Sequence, residues 1–270
     1  ASFNSISACQ NLILFQPGLY IEKGMRLKMK KIIITAGGTS EKIDNVRKIT
    51  NSSSGKLGCI IANKLIQTHE EQIEKIYYIC SKNSFKPTNA KIQIIEITGA
   101  KELEQMVKSL LTSDKIDYFI HSMAVSDYTV DYVTTVEKLA LNINNNPNKN
   151  VIDLICYNHD NLSDNKISSN QENLIIKLKK TPKIISIIKA ISPRTYLVGF
   201  KLLDNVSEEN LIDTAINLKN KNNCDLVVAN DLENIRKGNH KAFIIKNSND
   251  YIIASGKEDI AEKIIDNFFD

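Results

Sequence analysis

The chain has no tryptophan, and aromatic residues make up only 6% of its 270 positions. A surface that reads nucleic-acid bases by stacking is therefore not expected. Charge of one sign is also scarce in excess: 35 Lys and Arg against 31 Asp and Glu leave a formal +4, dispersed along the chain. That is too mild for binding driven by phosphate neutralisation, so no nucleic-acid partner is expected. The five cysteines, Cys9, Cys59, Cys80, Cys156 and Cys224, contain no Cys-x-x-Cys pair. Odd in number and scattered, they predict reduced thiols in a cytoplasmic protein and no cysteine-held metal. No apolar run approaches the ~20 residues that a membrane helix needs. The first residues lack the basic region and continuous apolar core of a signal peptide, so no membrane partner is expected either.

What is present is 42% hydrophobic content in a chain long enough for one substantial core. Residues 1–28 fit poorly with the pattern of the remaining chain and precede a second plausible start at Met25 or Met29, so they are expected to be a leader or extension. A single domain is expected over residues 29–270. Strand-like segments fall at Lys31–Thr35, Ile76–Cys80, Ile92–Ile97, Tyr118–His121, Tyr196–Phe200 and Asp225–Ala229. Helical spacing falls between them at Lys56–Gln67, Lys101–Leu111, Pro182–Ala190 and Glu208–Asn220. The alternation predicts a three-layer α/β/α fold with a mostly parallel, Rossmann-like sheet. Ala242–Ile245 and Tyr251–Ala254, flanking Asn and Ser turn residues, predict a hairpin. Ser255 with Glu258 reads as a capping box opening a last helix through Ile260, Ile264, Ile265 and Phe268. The segment Tyr132–Lys166, with its Asn-rich tract, shows no regular pattern and is expected to be a flap or an arm to a partner.

The most informative stretch is KKIIITAGGTSEKIDNVRKITNSSSGKLG, Lys30 to Gly58. A β-branched strand ends in one glycine-bearing loop, and a second, Thr50 to Gly55, runs into the amphipathic helix of Leu57, Ile60, Ile61 and Leu65. Serines at a helix start beside flexible glycines form an anion-binding layout. Neither loop is a Walker A motif, because no glycine is followed after four residues by Gly-Lys-Ser or Gly-Lys-Thr. Neither is a dinucleotide fingerprint, since Gly37-Gly38 and Gly55-Lys-Leu-Gly58 lie in different loops.

Six segments in order, ITAGGTSEKIDNVRKITNSSSGKLG, HSMAVSDY, KISS, KKTPKII, VGFKL and VVANDL, resemble phosphopantothenoylcysteine synthetase, the amide-forming ligase of coenzyme A biosynthesis. The likeness runs from about Lys31 to the C-terminus and is similar to the stand-alone bacterial form, without a fused decarboxylase. It implies that 4′-phosphopantothenate is activated by a nucleoside triphosphate with Mg²⁺, that pyrophosphate leaves, and that L-cysteine then displaces the nucleoside monophosphate. Bacterial members typically use CTP and animal members prefer ATP. The resemblance also implies a homodimer in which a projecting arm closes over the neighbour's site.

Within that resemblance, Lys166 corresponds to the lysine that contacts nucleotide phosphates, against the alternative of a solvated loop cation. Asn51 matches the asparagine holding the activated carbonyl; outside such a family it would read as a turn or cap residue. Arg47 fits an arginine near the substrate, or an ordinary surface salt bridge with Asp44 or Glu41. Gly37, Gly38, Thr39, Ser53, Ser54 and Gly55 are expected at the nucleotide, with the glycines needed by the turns in any case. Ala124 and Asp127 are implied as contacts through backbone amides and a carboxylate, although Asp127 equally suits a turn cap. Lys180 suits the nucleotide or a structural cation, Phe200 the base or the core, and Asn230 the nucleotide or an Asx turn with Asp231. His121 is left outside the catalytic set, because a lone histidine at a strand end more often satisfies a local hydrogen bond. Metal ligands are not identifiable from the sequence. Two rivals remain at this point: a nicotinamide-dependent oxidoreductase on a Rossmann sheet, and a non-catalytic nucleotide-binding regulator.

Overall fold

The structure, a computed structural model, describes residues 29–157, 161–163, 166–247 and 250–269. The expected leader, residues 1–28, lies outside the described residues, as does Cys9. The first half of the chain comprises β1 (Lys30–Ala36), β2 (Ser40–Lys42), β3 (Lys48–Thr50), α1 (Lys56–His69), β4 (Ile73–Ser81), β5 (Ile92–Ile97), α2 (Ala100–Ser113) and β6 (Tyr118–His121). A unit with its own two-stranded sheet comes next, made of β7 (Tyr128–Thr135), α3 (Val136–Asn144), α4 (Val151–Cys156) and β8 (Leu174–Lys180). The chain then continues through α5 (Ile184–Ile191), β9 (Tyr196–Leu203), α6 (Glu208–Asn222), β10 (Leu226–Asp231), α7 (Leu232–Arg236), β11 (Lys241–Asn247), β12 (Asp250–Ser255) and α8 (Lys257–Ile265).

Eight strands form one sheet in the order β12-β11-β10-β9-β6-β1-β4-β5. The six strands from β10 to β5 pair in parallel, and β11 and β12 add an antiparallel hairpin at one edge. Parallel strands must be covered on both faces, which is why Ile32, Ile33 and Ile34 are all fully buried. Alternate residues serve opposite layers. Ile32, Ile34 and Ala36 pack with Ile61 and Leu65 of α1 and with Ile260 and Ile264 of α8. Ile33, Ile79 and Phe119 pack with Leu103 and Val107 of α2, Ile188 of α5 and Leu211 of α6. The expected α/β/α architecture and parallel sheet are observed.

The Tyr132–Lys166 segment, which showed no regular pattern in the sequence, contains regular elements among its described residues. It continues β7, which pairs antiparallel with β8, and then forms two short helices. Thr135 caps α3 by accepting from the Lys138 amide at 3.2 Å, and Asn150 caps α4 by accepting from the Ile152 amide at 2.9 Å. The asparagines that suggested irregular chain are partly cap residues. A second difference lies at α8: Gly256, at φ 87°, precedes the helix, and the Ser255 amide donates to Asp259, so the Ser255–Glu258 box does not form. The small β2–β3 hairpin and β8 have no counterpart in the sequence reading. Among the described residues no helix is long and apolar enough to cross a membrane. Cys59, Cys80, Cys156 and Cys224 are free thiols.

Candidate functional site

The chain leaves β1 for β4 on one side and reaches β6 on the other, so the sheet order reverses beside β1. A reversal of this kind leaves a crevice outside the carboxyl ends of the strands, because successive loops diverge there. The loop after β1 is held tightly. Gly37 has φ 87°, and a Cβ placed on it would lie 1.9 Å from the Ser84 hydroxyl oxygen. A Cβ on Gly38 would lie 1.9 Å from the Asn51 carbonyl oxygen. Only glycine lets the second loop fold down on the first. Gly55, at φ 70°, completes the contact, since its own Cβ would stand 3.0 Å from the Gly37 nitrogen.

Backbone hydrogen bonds lock this crossing. Ala124 donates its amide to the Gly37 carbonyl at 2.8 Å and accepts from the Thr39 amide at 3.1 Å. Its amide is therefore committed to the protein. Thr39 is buried, its carbonyl accepts from the Asn51 amide at 3.0 Å, and its hydroxyl accepts from the Ser126 amide at 2.9 Å. The Asn51 side chain is half-buried and has no hydrogen-bonding partner among the described residues. Ser53 and Ser54 are exposed ahead of α1, and the Ser54 carbonyl accepts from the Phe85 amide at 3.0 Å. The α1 helix begins at Gly55, which has no side chain to cap it, and carries no acidic residue in its first turn; only the Ser54 hydroxyl accepts there, from the Lys56 amide at 3.4 Å, so its positive end keeps little compensation.

Arg47 makes the salt bridge to Asp44, but this is no surface pair: the Asp44 side chain is fully buried. Its carboxylate accepts from the amides of Val46 and Arg47 at 2.8 and 2.6 Å and from the Arg47 guanidinium at 2.9 and 2.6 Å. Across 123 residues of sequence, it also accepts from the Ile167 amide at 3.1 Å. Arg47 in turn donates to the Ile167 carbonyl at 2.9 Å. These bonds, above all that guanidinium, hold the Asp44 carboxyl far below the usual carboxylate range. Asp44 thus anchors the segment carrying Lys166, which is exposed and makes no ion pair among the described residues. Sequence reading named Asp44 only as a salt-bridge partner; the Asp-x-x-Arg spacing was the available signal.

Asp127 is exposed and pairs with Lys183, while its carbonyl accepts from the Thr181 amide at 3.0 Å. Lys180, at the end of β8 and opposite Tyr128, is exposed nearby. Phe200 and Asn230 stand farther along the edge, on β9 and β10, two and three strands from β1. Phe200 packs partly against the α1 and α8 layer, and the Asn230 amide donates to the Lys241 carbonyl at 3.3 Å. Asp231 caps α7 and also accepts from the Asn205 amide at 2.9 Å. His121 is buried against the Thr35 hydroxyl at 2.9 Å, and burial lowers its pKa to about 4. Among the described residues no three His, Cys, Asp or Glu side chains gather as a metal would need.

The family model for the DNA/pantothenate metabolism flavoprotein C-terminal domain matches residues 27–156 and 150–270. The coenzyme A biosynthesis bifunctional protein CoaBC of Thermococcus kodakarensis is 34% identical over 207 residues, covering 77% of this chain and 42% of that protein. Its counterpart from Methanocaldococcus jannaschii is 30% identical over 251 residues, covering 91% of this chain and 53% of that protein. The chain therefore spans about half the length of these curated relatives. The crystal structure of the DNA/pantothenate metabolism flavoprotein from Streptococcus pneumoniae superposes with a TM-score of 0.75 at 38% identity, covering 88% of this chain and 97% of that one. A Cab2 mutant in complex with phosphopantothenate-cysteine shares the fold, with a TM-score of 0.63 at 18% identity. With its glycine crossing at the sheet's reversal and a family match along nearly all its length, this chain belongs to the DNA/pantothenate metabolism flavoprotein C-terminal domain family.

Proposed function

We propose that the protein is a phosphopantothenate–cysteine ligase that works through an acyl-nucleotide. The observation that carries this reading is the meeting of the Gly37–Thr39 and Asn51–Gly55 loops at the reversal point, in a chain of this family. Support for the substrate comes from the fold relative bound to phosphopantothenate-cysteine. In the proposed reaction a carboxylate oxygen of 4′-phosphopantothenate attacks the α-phosphorus of CTP, and the bond to the bridging β-oxygen breaks with release of pyrophosphate. The cysteine amine then attacks the acyl carbon, CMP leaves with the electron pair of the acyl C–O bond, and the amine proton passes to solvent. Mg²⁺ enters with the triphosphate as part of the substrate and offsets its charge.

The chain's own groups divide the work. Lys166, exposed beside the Asp44 anchor and in no ion pair among the described residues, offsets phosphate charge during activation. Asn51, whose side-chain amide has no partner among the described residues, donates to the acyl oxygen when cysteine attacks. Arg47 is spoken for by Asp44 and Ile167, so it shapes the site and offers its remaining N–H groups to substrate. Gly37, Gly38, Ser53, Ser54 and Gly55 bring backbone close to the nucleotide, with Phe200 and Asn230 along the edge at its base or ribose. Thr39 and Ala124 act through the loop that they hold. Asp127, Lys180 and Lys183 form the rim. CTP is favoured over ATP on the bacterial-type resemblance.

The test is release of pyrophosphate that depends on 4′-phosphopantothenate, measured with CTP and with ATP, and formation of 4′-phosphopantothenoyl-cysteine on adding L-cysteine. Product with CTP at a kcat/KM above that of ATP is expected. No product with either nucleotide overturns the ligase; an equal or reversed ratio overturns only the nucleotide preference. Nucleotide binding without pyrophosphate release would instead mark a binding regulator.

A further inference from the structure

The parallel strands have a second edge, at their amino ends, opposite the glycine crossing. Three neighbouring strands begin there together: β1 with Lys30, β6 with Tyr118 and β9 with Tyr196, and Tyr118 stands opposite Tyr196 in register. The loops that enter β6 and β9 are tied to each other. The Thr195 hydroxyl donates to the Ile116 carbonyl at 2.8 Å, and the Tyr196 amide donates to the Asp117 carbonyl at 2.8 Å. Asp117 in turn donates its amide to the Lys31 carbonyl at 2.9 Å. Here lies a cavity of about 460 Å³, lined by Lys30, Lys115, Asp117, Arg194 and the two tyrosines. That volume falls in the range of roughly 300–1,000 Å³ that holds small organic ligands.

The charge of the cavity is one-sided. Three cationic side chains line it beside a single carboxylate, and Asp117 is already engaged: it accepts from the Lys31 amide at 3.1 Å and lies 3.7 Å from the Lys30 ammonium. Arg194 is exposed and makes no ion pair among the described residues. Two nearby carboxylates give no relief. Asp114, on the same loop as Lys115, is held by the Lys31 ammonium at 2.6 Å; Asp225 is held by the Lys189 ammonium at 2.6 Å and the Leu197 amide at 2.7 Å. The lining is also flat and partly apolar. Tyr118 stacks on Phe268 at 4.4 Å between ring centroids and gives its hydroxyl to the Phe268 carbonyl, which fixes its ring. Tyr196 packs edge-on to Phe268 at 5.5 Å. Its hydroxyl has no hydrogen-bonding partner among the described residues, and burial pushes its pKa up to about 12, so it stays a donor.

We propose that this cavity binds a small aromatic dianion, an aryl phosphate or an aromatic dicarboxylate, at a site separate from the ligase centre. The excess of positive charge selects a dianion, and the Arg194 guanidinium offers a planar fork matched to phosphate or carboxylate oxygens. The tyrosine rings select a flat apolar body over a bare ion. Backbone bonds hold the two loops in place without a ligand, so little ordering opposes binding. None of these groups belongs to the glycine crossing, and the proposal does not rest on the ligase reading.

Titration of the intact, isotopically labelled protein with phenyl phosphate, followed by amide NMR shifts, reads where the ligand sits. Saturable shifts are expected at Ile116–Tyr118 and Thr195–Leu197, weakening with added salt. Arg194→Gln should lower the affinity read at those amides about tenfold, the loss typical of one charged hydrogen bond, and Arg194→Lys should lower it less. Phthalate tests the carboxylate source: a response to either phthalate or phenyl phosphate supports the site and names its source. Inorganic phosphate, with charge and no ring, should bind more weakly there. No saturable shift at these amides, shifts confined to the Gly37–Thr39 and Asn51–Gly55 loops, or equal binding of inorganic phosphate overturns the proposal. Unchanged affinity in Arg194→Gln overturns it as well.

Discussion

The carboxyl edge at β1 and the unit built on β7 and β8 are opposites in how they treat their exposed groups. At the edge, polar groups dominate and the backbone of the crossing is committed: Gly37 to Ala124, Thr39 to Ala124 and Asn51, Thr39 again to Ser126. The β7–β8 unit instead exposes apolar side chains, with Tyr128, Ile176 and Leu178 on its strands and Leu141, Ile152 and Tyr157 on and beside its helices. A crossing held by so many hydrogen bonds is rigid before any ligand arrives, which suits electrostatic catalysis. A surface of clustered apolar groups on a two-stranded ribbon is poorly stable in water by itself and gains by being covered. The first region holds its own backbone in place; the second, in the homodimer that the family resemblance implies, is covered by a second copy.

The sharpest way to break that contrast is at the exposed cation of the edge. Lys166→Gln should depress pyrophosphate release by roughly 10² or more, the effect typical of removing a preorganised electrostatic donor. A rate within a few-fold of native would place phosphate stabilisation elsewhere. Asn51→Asp keeps the side-chain shape but replaces a donor by a carboxylate, so the acyl-nucleotide should form and then persist. Mass spectrometry of the variant with nucleotide and 4′-phosphopantothenate should detect it, and product formation at the native rate would remove Asn51 from the second step.

The arm offers the complementary test. Leu178→Glu, at a side chain 41% exposed, should convert a dimer to a monomer in light scattering at micromolar concentration. A native protein that is already monomeric there would leave the arm to close over its own site. Asp44→Asn should have a smaller effect on turnover, roughly tenfold, because it loosens Arg47 and the Lys166 segment without removing either. Hydrogen exchange at Ile167 should rise with it, and an unchanged exchange rate would show that Asp44 does not anchor that segment. The smallest effect expected is on pH dependence. The His121 imidazole titrates near 6.5 when unfolded and about 4 when buried. Between these values the unfolded chain binds a proton that the folded chain refuses, so stability falls as pH drops from 6.5 towards 4. His121→Gln should flatten that part of the melting profile, and a slope equal to that of the native protein would assign the dependence to other groups.

Much of the sheet was legible because parallel strands buried on both faces must be apolar throughout. Ile32–Ile34 and Tyr118–Ile120 announce themselves in that way. The edges were less legible. The β8 strand, LIIKLKK, mixes exposed lysines with exposed isoleucine and leucine, so its pairing with β7 is written in neither residue set alone. The Ser255–Glu258 box failed because Gly256 adopts a positive φ and moves the helix start on, handing the cap to Asp259. A local motif cannot announce that shift, since it depends on where β12 ends.

By itself the sequence determined the layered α/β architecture, the two glycine loops and the family resemblance, because strand burial, helical spacing and the need for glycine at tight turns are local properties. Tertiary structure alone decided that Asp44 is buried beneath Arg47 and reaches Ile167, 123 residues away. It also decided that the Lys64 ammonium of α1 meets the Glu262 carboxylate of α8, 198 residues away. Both are contacts between segments distant in sequence, and the distance between such side chains is set by how the helices and strands pack.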